Sequence, residues 1–282
     1  VETRDPNLKQ KGPGWPTKDG EVVGYAIAVG GWKCYIPVGH AGGGNLDKRI
    51  VSKWLKKVFE CPADKIMHNA QYDLGWLRAE GFEVKGRVID TMITASLIDE
   101  NRFSYSLNAL CYDYPGKTKS EKTLVEAAKE FGVDPKGEMW KLPAMYVGPY
   151  AETDAEITLE LWNHFKTLLN REDLWDVWNL EISLLPHLVE MTMRGIRVDL
   201  DRAERTKQVL IKQEKEALKQ IKSLAGMDVE IWAAQSIAKA FDKLSIPYPS
   251  TEKGAPSFTK SFLSEHNHDL AKWIVKARNL NK

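Results

Sequence analysis

The chain has 282 residues, of which 43% are hydrophobic and 28% are charged, and its net charge is +1. This composition is ordinary for a globular protein, and the small net charge gives no overall attraction for a polyanion, so a nucleic-acid surface has to come from local charges or bound cations. The cysteines are few and widely spaced, and neither a signal peptide nor an apolar run of about 20 residues occurs, which predicts a soluble intracellular protein without disulfides, structural zinc or membrane spans.

The first elements in chain order are a loop and a hairpin. Residues 5–20 are rich in Lys, Gly, Pro and Asp, which predicts a mobile loop. Residues 21–29 and 33–38 carry β-branched and aromatic side chains on either side of Gly30-Gly31. This pattern predicts a β-hairpin that turns at the two glycines.

Strand and helix patterns then alternate. A helix capped by Asn45 or Asp47 is expected to run to about residue 59. Its apolar face is expected to carry Ile50, Val51, Leu55 and Val58. Strands are predicted at 65–68 and 82–89, and helices at 70–80 and 91–98. The alternation predicts an α/β fold in which a mixed sheet is flanked by helices.

Helical patterns dominate the rest of the chain. Short helices joined by a turn at Pro115-Gly116 are expected within residues 104–130, and a strong amphipathic helix at 147–169. Long helical stretches follow at 173–194 and 200–224, with one short strand pattern at 196–198. This change predicts a domain boundary near residue 170, which divides the chain into residues 1–170 and 171–282.

Polar residues that the fold does not require occur at three places. Glu2 lies near the start of the chain, Asn69 precedes Asp73, and Tyr150 precedes Asp154. In the second and third places the two residues are four positions apart, so they face the same side of a helix. The helix with Asp73 directly follows a strand, and open α/β sheets usually bind ligands where their strands end.

Carboxylates that are gathered in this way repel one another unless cations neutralise them. Oxygen ligands alone suit Mg²⁺ or Mn²⁺, and two such ions can hold the attacking and leaving oxygens of a phosphoryl displacement. Tyr150, one turn before Asp154, can orient the attacking water. Gly42-Gly43-Gly44 lacks the Lys and Ser/Thr of a phosphate-binding P-loop, so it predicts only a flexible break.

In chain order these residues resemble the DEDD-type 3′→5′ exonucleases of the subclass with a tyrosine. The pattern of that superfamily is D-x-E, then N-x-x-x-D, then Y-x-x-x-D. Asn69 with Asp73 and Tyr150 with Asp154 match the second and third motifs, and residues 1–3 resemble the end of D-x-E-T. The first Asp of the pattern would precede this chain, which is therefore expected to be a piece of a longer protein.

The resemblance extends beyond these motifs to family A DNA polymerases related to DNA polymerase I. Residues 25–40 are similar to two strands of their proofreading domain, residues 181–200 to the segment before the polymerase thumb, and residues 232–282 to the thumb itself. It implies a ribonuclease H-like exonuclease domain followed by a mostly helical partial thumb. No polymerase activity is expected of this chain alone, because no palm carboxylates follow.

The resemblance implies a 3′→5′ exonuclease that trims DNA 3′ ends by two-metal hydrolysis. Glu2, Asp73 and Asp154 would hold two divalent cations, Mg²⁺ or Mn²⁺, and Tyr150 would position the water. The partners would be a single-stranded 3′ end and a primer–template duplex, in the cytoplasm of a bacterium or a phage-infected cell. Three residues are expected to contact the DNA: Thr3, Asn69 and Tyr105.

Other interpretations of the same residues stay open. Asn69 can cap its helix, Tyr105 can belong to the core, and His68 and Asp90 can be structural. The lysines of the helix within 200–224 can be solvated rather than in contact with duplex phosphates. Because the first Asp of the pattern is absent, the chain can also be a DNA-binding fragment with impaired catalysis. A third alternative is a relative that trims RNA.

Overall fold

A computed structural model describes residues 1–114 and 121–281 of the chain. The chain divides into two compact units, Val1–Gly195 and Ile196–Lys282. In chain order the elements of the first unit are β1 (Glu2–Arg4), α1 (Leu8–Lys11), β2 (Glu21–Val29), β3 (Trp32–Pro37), α2 (Lys48–Glu60), β4 (Lys65–Met67), α3 (Ala70–Ala79), β5 (Val88–Asp90), α4 (Thr91–Ile98), α5 (Leu107–Asp113), α6 (Lys122–Phe131), a 3-10 turn (Met139–Lys141), α7 (Ala144–Arg171) and α8 (Trp175–Arg194).

The second unit is helical. Its elements are α9 (Leu200–Ala225), α10 (Ala234–Lys243), α11 (Lys260–Glu265) and α12 (Asp269–Leu280). Ile221, Phe241 and Ile274 are buried together in a core of its own. The Arg278 guanidinium donates to the backbone carbonyls of Ile231 and Phe258, at 2.7 and 3.0 Å, which ties α12 to the neighbouring loops. None of the helices in the described residues of either unit combines the length and apolarity that crossing a membrane requires.

The predicted hairpin is confirmed. β2 and β3 pair antiparallel, and Val29 opposite Trp32 is the pair next to the turn. Gly30 and Gly31 have φ angles of 54° and 85°, the left-handed values that a two-residue hairpin turn requires and that glycine adopts without strain. β1 adds antiparallel to β2, so the strand that carries Glu2 lies at the edge of this sheet.

The predicted α/β class is confirmed, although the strands divide differently from the single mixed sheet that was expected. Among the described residues β1, β2 and β3 form an antiparallel sheet, whereas β4 and β5 form a separate parallel pair. The strand predicted at 82–89 is limited to β5, because Gly86 takes a φ of 79° and breaks the extended conformation before it. The turn predicted at Pro115-Gly116 lies outside the described residues.

The expectation of a mobile loop at residues 5–20 is wrong. Trp15 is buried against α3, where a methyl group on Gly75 would collide with the indole. The Asn7 amide donates to the Asp19 carboxylate at 2.7 Å and closes the segment near its two ends. The segment is irregular apart from the short helix α1, and the buried Trp15 anchors it to the core.

Two further expectations need correction. The cap of α2 is Asp47, and Val51 and Leu55 are buried as expected, but Ile50 is 71% exposed. The buried face is centred on Val51, Leu55 and Phe59, so Ile50 is turned towards solvent. The short strand predicted at residues 196–198 does not form, because these residues pair with no strand in the described part of the chain.

The predicted boundary near residue 170 falls between α7 and α8, whereas the first compact unit continues through α8. Leu185 and Val189 of α8 are buried with the core around β2 and α3. Trp178 and Ile182 of the same helix are buried with the core around α4 and α7. The helix α8 therefore packs into two of the hydrophobic cores of the first unit. The functional division at residue 170 stays a prediction.

Candidate active site

The three predicted carboxylates lie within electrostatic range of the amino group of Val1, beside the edge of the antiparallel sheet. The amino group of Val1 forms an ion pair with the carboxylate of Asp73 on α3. Burial lowers the pKa of that amino group, but the carboxylates of Asp73, Glu2 and Asp154 outweigh this effect and raise the pKa above its ordinary value. Carboxylates from β1, α3 and α7 thus act together on the same group.

Tyr150 belongs to the same cluster. Burial raises the pKa of Tyr150, and the nearby carboxylates of Asp154 and Glu2 raise it further. The Tyr150 hydroxyl also hydrogen-bonds to Asp154, four residues later on α7, as the helical spacing predicts. The hydroxyl therefore keeps its proton at neutral pH and is available to hydrogen-bond and orient a ligand.

The local structure of β1 directs Glu2 and Thr3. The register between β1 and β2 shifts between these two residues, and such an irregularity re-aims the side chains on either side of it. The Thr3 hydroxyl lies 2.7 Å from the hydroxyl of Tyr72, which donates to Asp5 at 3.0 Å. Tyr72 precedes Asp73, so this network joins β1 to α3. The sequence motifs did not single out Tyr72, because its partners are about 70 residues away in the chain.

Asn69 lies at the start of α3 but does not cap it. Its φ of 62° is left-handed, and its exposed side chain makes no capping hydrogen bond to the described residues of the helix. The carboxylate of Asp90 takes that role, because it accepts from the backbone amides of Asn69 and Ala70 at 3.0 and 2.7 Å. The expected structural role of Asp90 is confirmed, and a DNA contact by the exposed Asn69 stays a prediction.

His68 and Tyr105 are packed beside the cluster. His68 Nδ1 lies 2.9 Å from the Thr91 hydroxyl, and burial lowers the pKa of His68 to about 4. Tyr105 is half-buried against the core and donates its hydroxyl to the carbonyl of Asp99 at 2.8 Å. These contacts support the structural interpretation of His68. Base stacking by Tyr105 stays a prediction, with its hydroxyl already engaged in a protein contact.

The donor set fits a hard divalent cation in its chemistry. Carboxylate side chains come from β1, α3 and α7, and oxygen ligands of this kind suit Mg²⁺ or Mn²⁺. Across residues 1–114 and 121–281, however, no group of three or more His, Cys, Asp or Glu side chains converges closely enough to enclose an ion.

Comparison with known proteins identifies the class of this site. Residues 16–170 match the family model for the 3′–5′ exonuclease of family A DNA polymerases. The chain therefore belongs to the family A DNA polymerases and carries their 3′–5′ exonuclease domain, as the motifs predicted. This match includes the hairpin, α3 and α7, and it confirms the expected ribonuclease H-like α/β fold.

Curated relatives from phages and bacteria are similar over most of the chain. A DNA-directed DNA polymerase of Pseudomonas phage M6 is 36% identical over 100% of this chain and 44% of its own length. DNA polymerase DpoZ of Acinetobacter phage SH-Ab 15497 is 32% identical over 89% of this chain and 43% of its own length. DNA polymerase I of Pseudomonas aeruginosa is 26% identical over 93% of this chain and 30% of its own length. The chain spans less than half the length of these relatives.

A solved structure has the same fold. The POL domain of Pol1 from M. smegmatis, in complex with DNA primer-template and dNTP, superimposes with a TM-score of 0.70 over 93% of this chain and 42% of that one. The two sequences are 19% identical over the match, so the likeness shows the fold alone. It covers both the α/β part and the helical part of the chain.

Proposed function

We propose that the first unit hydrolyses the phosphodiester bond at the 3′ end of DNA, one nucleotide at a time, as the proofreading site of a longer family A DNA polymerase. The observation that carries the proposal is the electrostatic proximity of Glu2, Asp73 and Asp154, which come from three elements, with Tyr150 hydrogen-bonded to Asp154. The family match over residues 16–170 supports the same reaction. Polymerase activity would belong to the longer protein, in a bacterial or phage-infected cell.

Glu2, Asp73 and Asp154 would hold two divalent cations, Mg²⁺ or Mn²⁺. When bound, such cations polarise the scissile phosphate and acidify water. Tyr150 supplies a hydroxyl that stays protonated, because burial and the adjacent carboxylates raise its pKa. It would orient the attacking water by hydrogen bonding rather than remove its proton.

The DNA 3′ end would be held by residues beside this cluster. Thr3 on β1 and the exposed Asn69 before α3 would contact the terminal nucleotides, and Tyr105 would pack against a base. In the second unit, lysines of α9 would contact the phosphates of the primer–template duplex. A mispaired end frays more easily than a paired end, so it would reach the exonuclease site more often.

A nuclease assay with matched variants tests the reaction. The 282-residue chain and a version with Met-Asp placed before Val1 are incubated with 5′-labelled single-stranded DNA and Mg²⁺ or Mn²⁺. We expect a ladder of shortened strands, and Asp73→Asn should reduce the rate at least about a hundredfold because a metal ligand is lost. Asp228→Asn is the control, since this carboxylate is in the second unit and 85% exposed. Failure of both versions to shorten DNA would overturn the proposal.

A second candidate function is DNA binding with impaired hydrolysis. Its ground is the sequence, in which residues 1–3 supply the Glu of the first exonuclease motif but not its Asp. The nuclease assay with and without Met-Asp before Val1 decides between hydrolysis and binding alone. If only the version with Met-Asp hydrolyses DNA, catalysis is impaired in the 282-residue chain. Replacement of the DNA substrate by RNA of the same sequence tests the RNA-trimming alternative, for which equal or faster cleavage of RNA is required.

A further inference from the structure

Tyr35 lies beside Glu2 on one face of the antiparallel sheet. Glu2 is paired with Gly24, and Tyr35 is paired with Ala26, two residues further along β2. Paired and alternate residues of neighbouring strands share a face, so the Tyr35 ring leans diagonally over Gly24 towards Glu2. A methyl group on Gly24 would collide with the Tyr35 hydroxyl. The glycine therefore provides the space that brings this hydroxyl next to the predicted metal ligand.

The Tyr35 hydroxyl is held by a buried histidine. Its oxygen lies 2.6 Å from His40 Nε2, and His40 Nδ1 lies 3.0 Å from the backbone carbonyl of Leu142. A carbonyl only accepts, so the imidazole proton is on Nδ1 and Nε2 accepts from Tyr35. His40 is 3% exposed, and burial lowers its pKa, which keeps the ring neutral as this arrangement requires.

The histidine connects the sheet to the start of α7. Leu142 lies two residues before Ala144, where α7 begins. The glycine-rich segment after His40 packs on the same place: Ala144 donates its amide to the carbonyl of Gly43 at 3.1 Å, and a methyl group on Gly42 would collide with Leu142. The segment that the sequence identified only as a flexible break thus docks the sheet against the helix that carries Tyr150.

We propose that Tyr35 and His40 are a positioning pair for the exonuclease reaction. Through the sheet the pair fixes Glu2, and through Leu142 it fixes the first turns of α7 with Tyr150. This inference rests on the proposed function of the cluster. The pair does not touch the substrate. It sets the distance between Glu2 on β1, which ligates the cations, and Tyr150 on α7, which orients the water.

Tyr35→Phe removes only the hydroxyl and leaves the ring over Gly24. We expect kcat to fall about tenfold, with KM within about twofold, because displacement of reacting groups costs rate rather than binding. The melting temperature should stay within a few degrees of the parent. Tyr112→Phe is the matched control, since Tyr112 is 67% exposed on α5, and it should leave both kinetic constants unchanged.

His40→Asn tests the other half of the pair, because the asparagine NH₂ group can take the place of Nδ1 and donate to Leu142, whereas the shorter side chain does not reach the place of Nε2 beside Tyr35. Its kcat should equal that of Tyr35→Phe, and the double variant should be no slower than either single variant, as expected for residues that act as one unit. A long-range proton–nitrogen spectrum provides a readout without substrate. It should show His40 protonated at Nδ1, and the Nε2 resonance should shift in Tyr35→Phe.

The outcomes separate this inference from the function on which it rests. If the parent versions do not hydrolyse DNA, the proposed function fails. If they do, and Asp73→Asn abolishes hydrolysis, a kcat within twofold of the parent for Tyr35→Phe overturns the positioning pair. A fall in kcat that only follows the folded fraction measured by circular dichroism also overturns it, because the role would then be structural. A selective fall in kcat with an additive double variant would contradict it as well.

Discussion

A single buried carboxylate organises the start of the helix that carries Asp73. Asp90 is 1% exposed, and its oxygens accept hydrogen bonds from the backbone amides of Asn69, Ala70 and Met92. Burial raises the pKa of Asp90, and these amides oppose that rise. The carboxylate therefore joins the starts of α3 and α4, and through α3 it fixes the position of Asp73.

We expect Asp90→Asn to lower the free energy of unfolding by about 1–3 kcal/mol, because one oxygen becomes a donor that faces backbone N–H groups. Urea denaturation followed by circular dichroism measures this change. Asp228→Asn, at an exposed position, should stay within about 0.5 kcal/mol of the parent. Equal stabilities of Asp90→Asn and the parent would show that the buried carboxylate contributes nothing.

His68 gives the fold a defined response to acid. Burial lowers the pKa of His68 to about 4, and the nearby carboxylate of Asp73 opposes that decrease. In the unfolded chain a histidine pKa is about 6.5, so the folded state prefers the neutral ring. The stability from this preference is fully present above a pH of about 6.5 and is lost as the pH falls towards about 4.

We therefore expect the His68 resonances to titrate near a pH of about 4, and the free energy of unfolding to decrease between about 6.5 and about 4. Proton NMR and urea denaturation across this range measure the two effects. His68→Asn should make the decrease shallower, whereas His187→Asn, at an exposed position on α8, should leave its slope unchanged. A midpoint for His68 near its ordinary value would contradict the prediction.

At the scale of elements, α3 is held from outside by the segment that precedes β2. Trp15 packs so closely on α3 that a glycine is required at position 75, in the same helix as Asp73. Gly148 in α7 is different, because a methyl group there would lie 3.6 Å from the Tyr35 side chain, an ordinary contact distance. The packing around α3 thus requires a glycine at position 75, whereas the packing around α7 leaves room for a methyl group at position 148.

Gly75→Ala should lower the free energy of unfolding by about 1–3 kcal/mol, because overpacking against Trp15 outweighs the gain in helix propensity. Gly148→Ala should be neutral or raise it by up to about 1 kcal/mol, because the helix gains propensity without a clash. Thermal and urea denaturation of the two variants measure the difference. Equal effects of the two substitutions would show that Trp15 does not pack as described.

Local patterns predicted the elements whose contacts repeat along the chain. α4 occupies Thr91–Ile98 as predicted, and the hairpin turns at the two predicted glycines, because periodicity and turn chemistry are local. The anchoring of Trp15 could not be predicted in this way, since its partner at Gly75 is sixty positions away. Ile50 was assigned to the wrong face because a shift of one residue on a helix rotates a side chain by about 100°.

The same difference applies to the candidate site. The spacing of Asn69 with Asp73 and of Tyr150 with Asp154 could be found from sequence, because the members of each pair are four positions apart in the chain. The supporting bonds could not, because they join elements far apart in the chain. They comprise the hydrogen bonds of Asp90 to the start of α3, of Tyr72 to β1, and of His40 to Leu142 two residues before α7.

At the scale of the whole molecule, the compact units predict where the chain can be divided. A protein that ends at Gly195 keeps α8, whereas one that ends at residue 170 loses the buried Trp178 and Leu185. We expect the longer piece to unfold cooperatively. The free energy of unfolding of the shorter piece should be lower by more than about 3 kcal/mol, because the loss of each large buried side chain costs about 2–5 kcal/mol. Calorimetry of both pieces measures this. Equal melting temperatures would contradict the assignment of α8 to the first unit.

The direction of cleavage and the chemical form of the product test the proposed exonuclease site together. The substrate is single-stranded DNA labelled at either end, with Mg²⁺, and mass spectrometry identifies the released species. We expect the 3′ label to leave first as a nucleoside 5′-monophosphate, the 5′-labelled strand to shorten progressively, and both processes to stop in Asp73→Asn. Release of the 5′ label first, internal cuts, or undiminished release by Asp73→Asn would contradict a 3′→5′ exonuclease built on Glu2, Asp73 and Asp154.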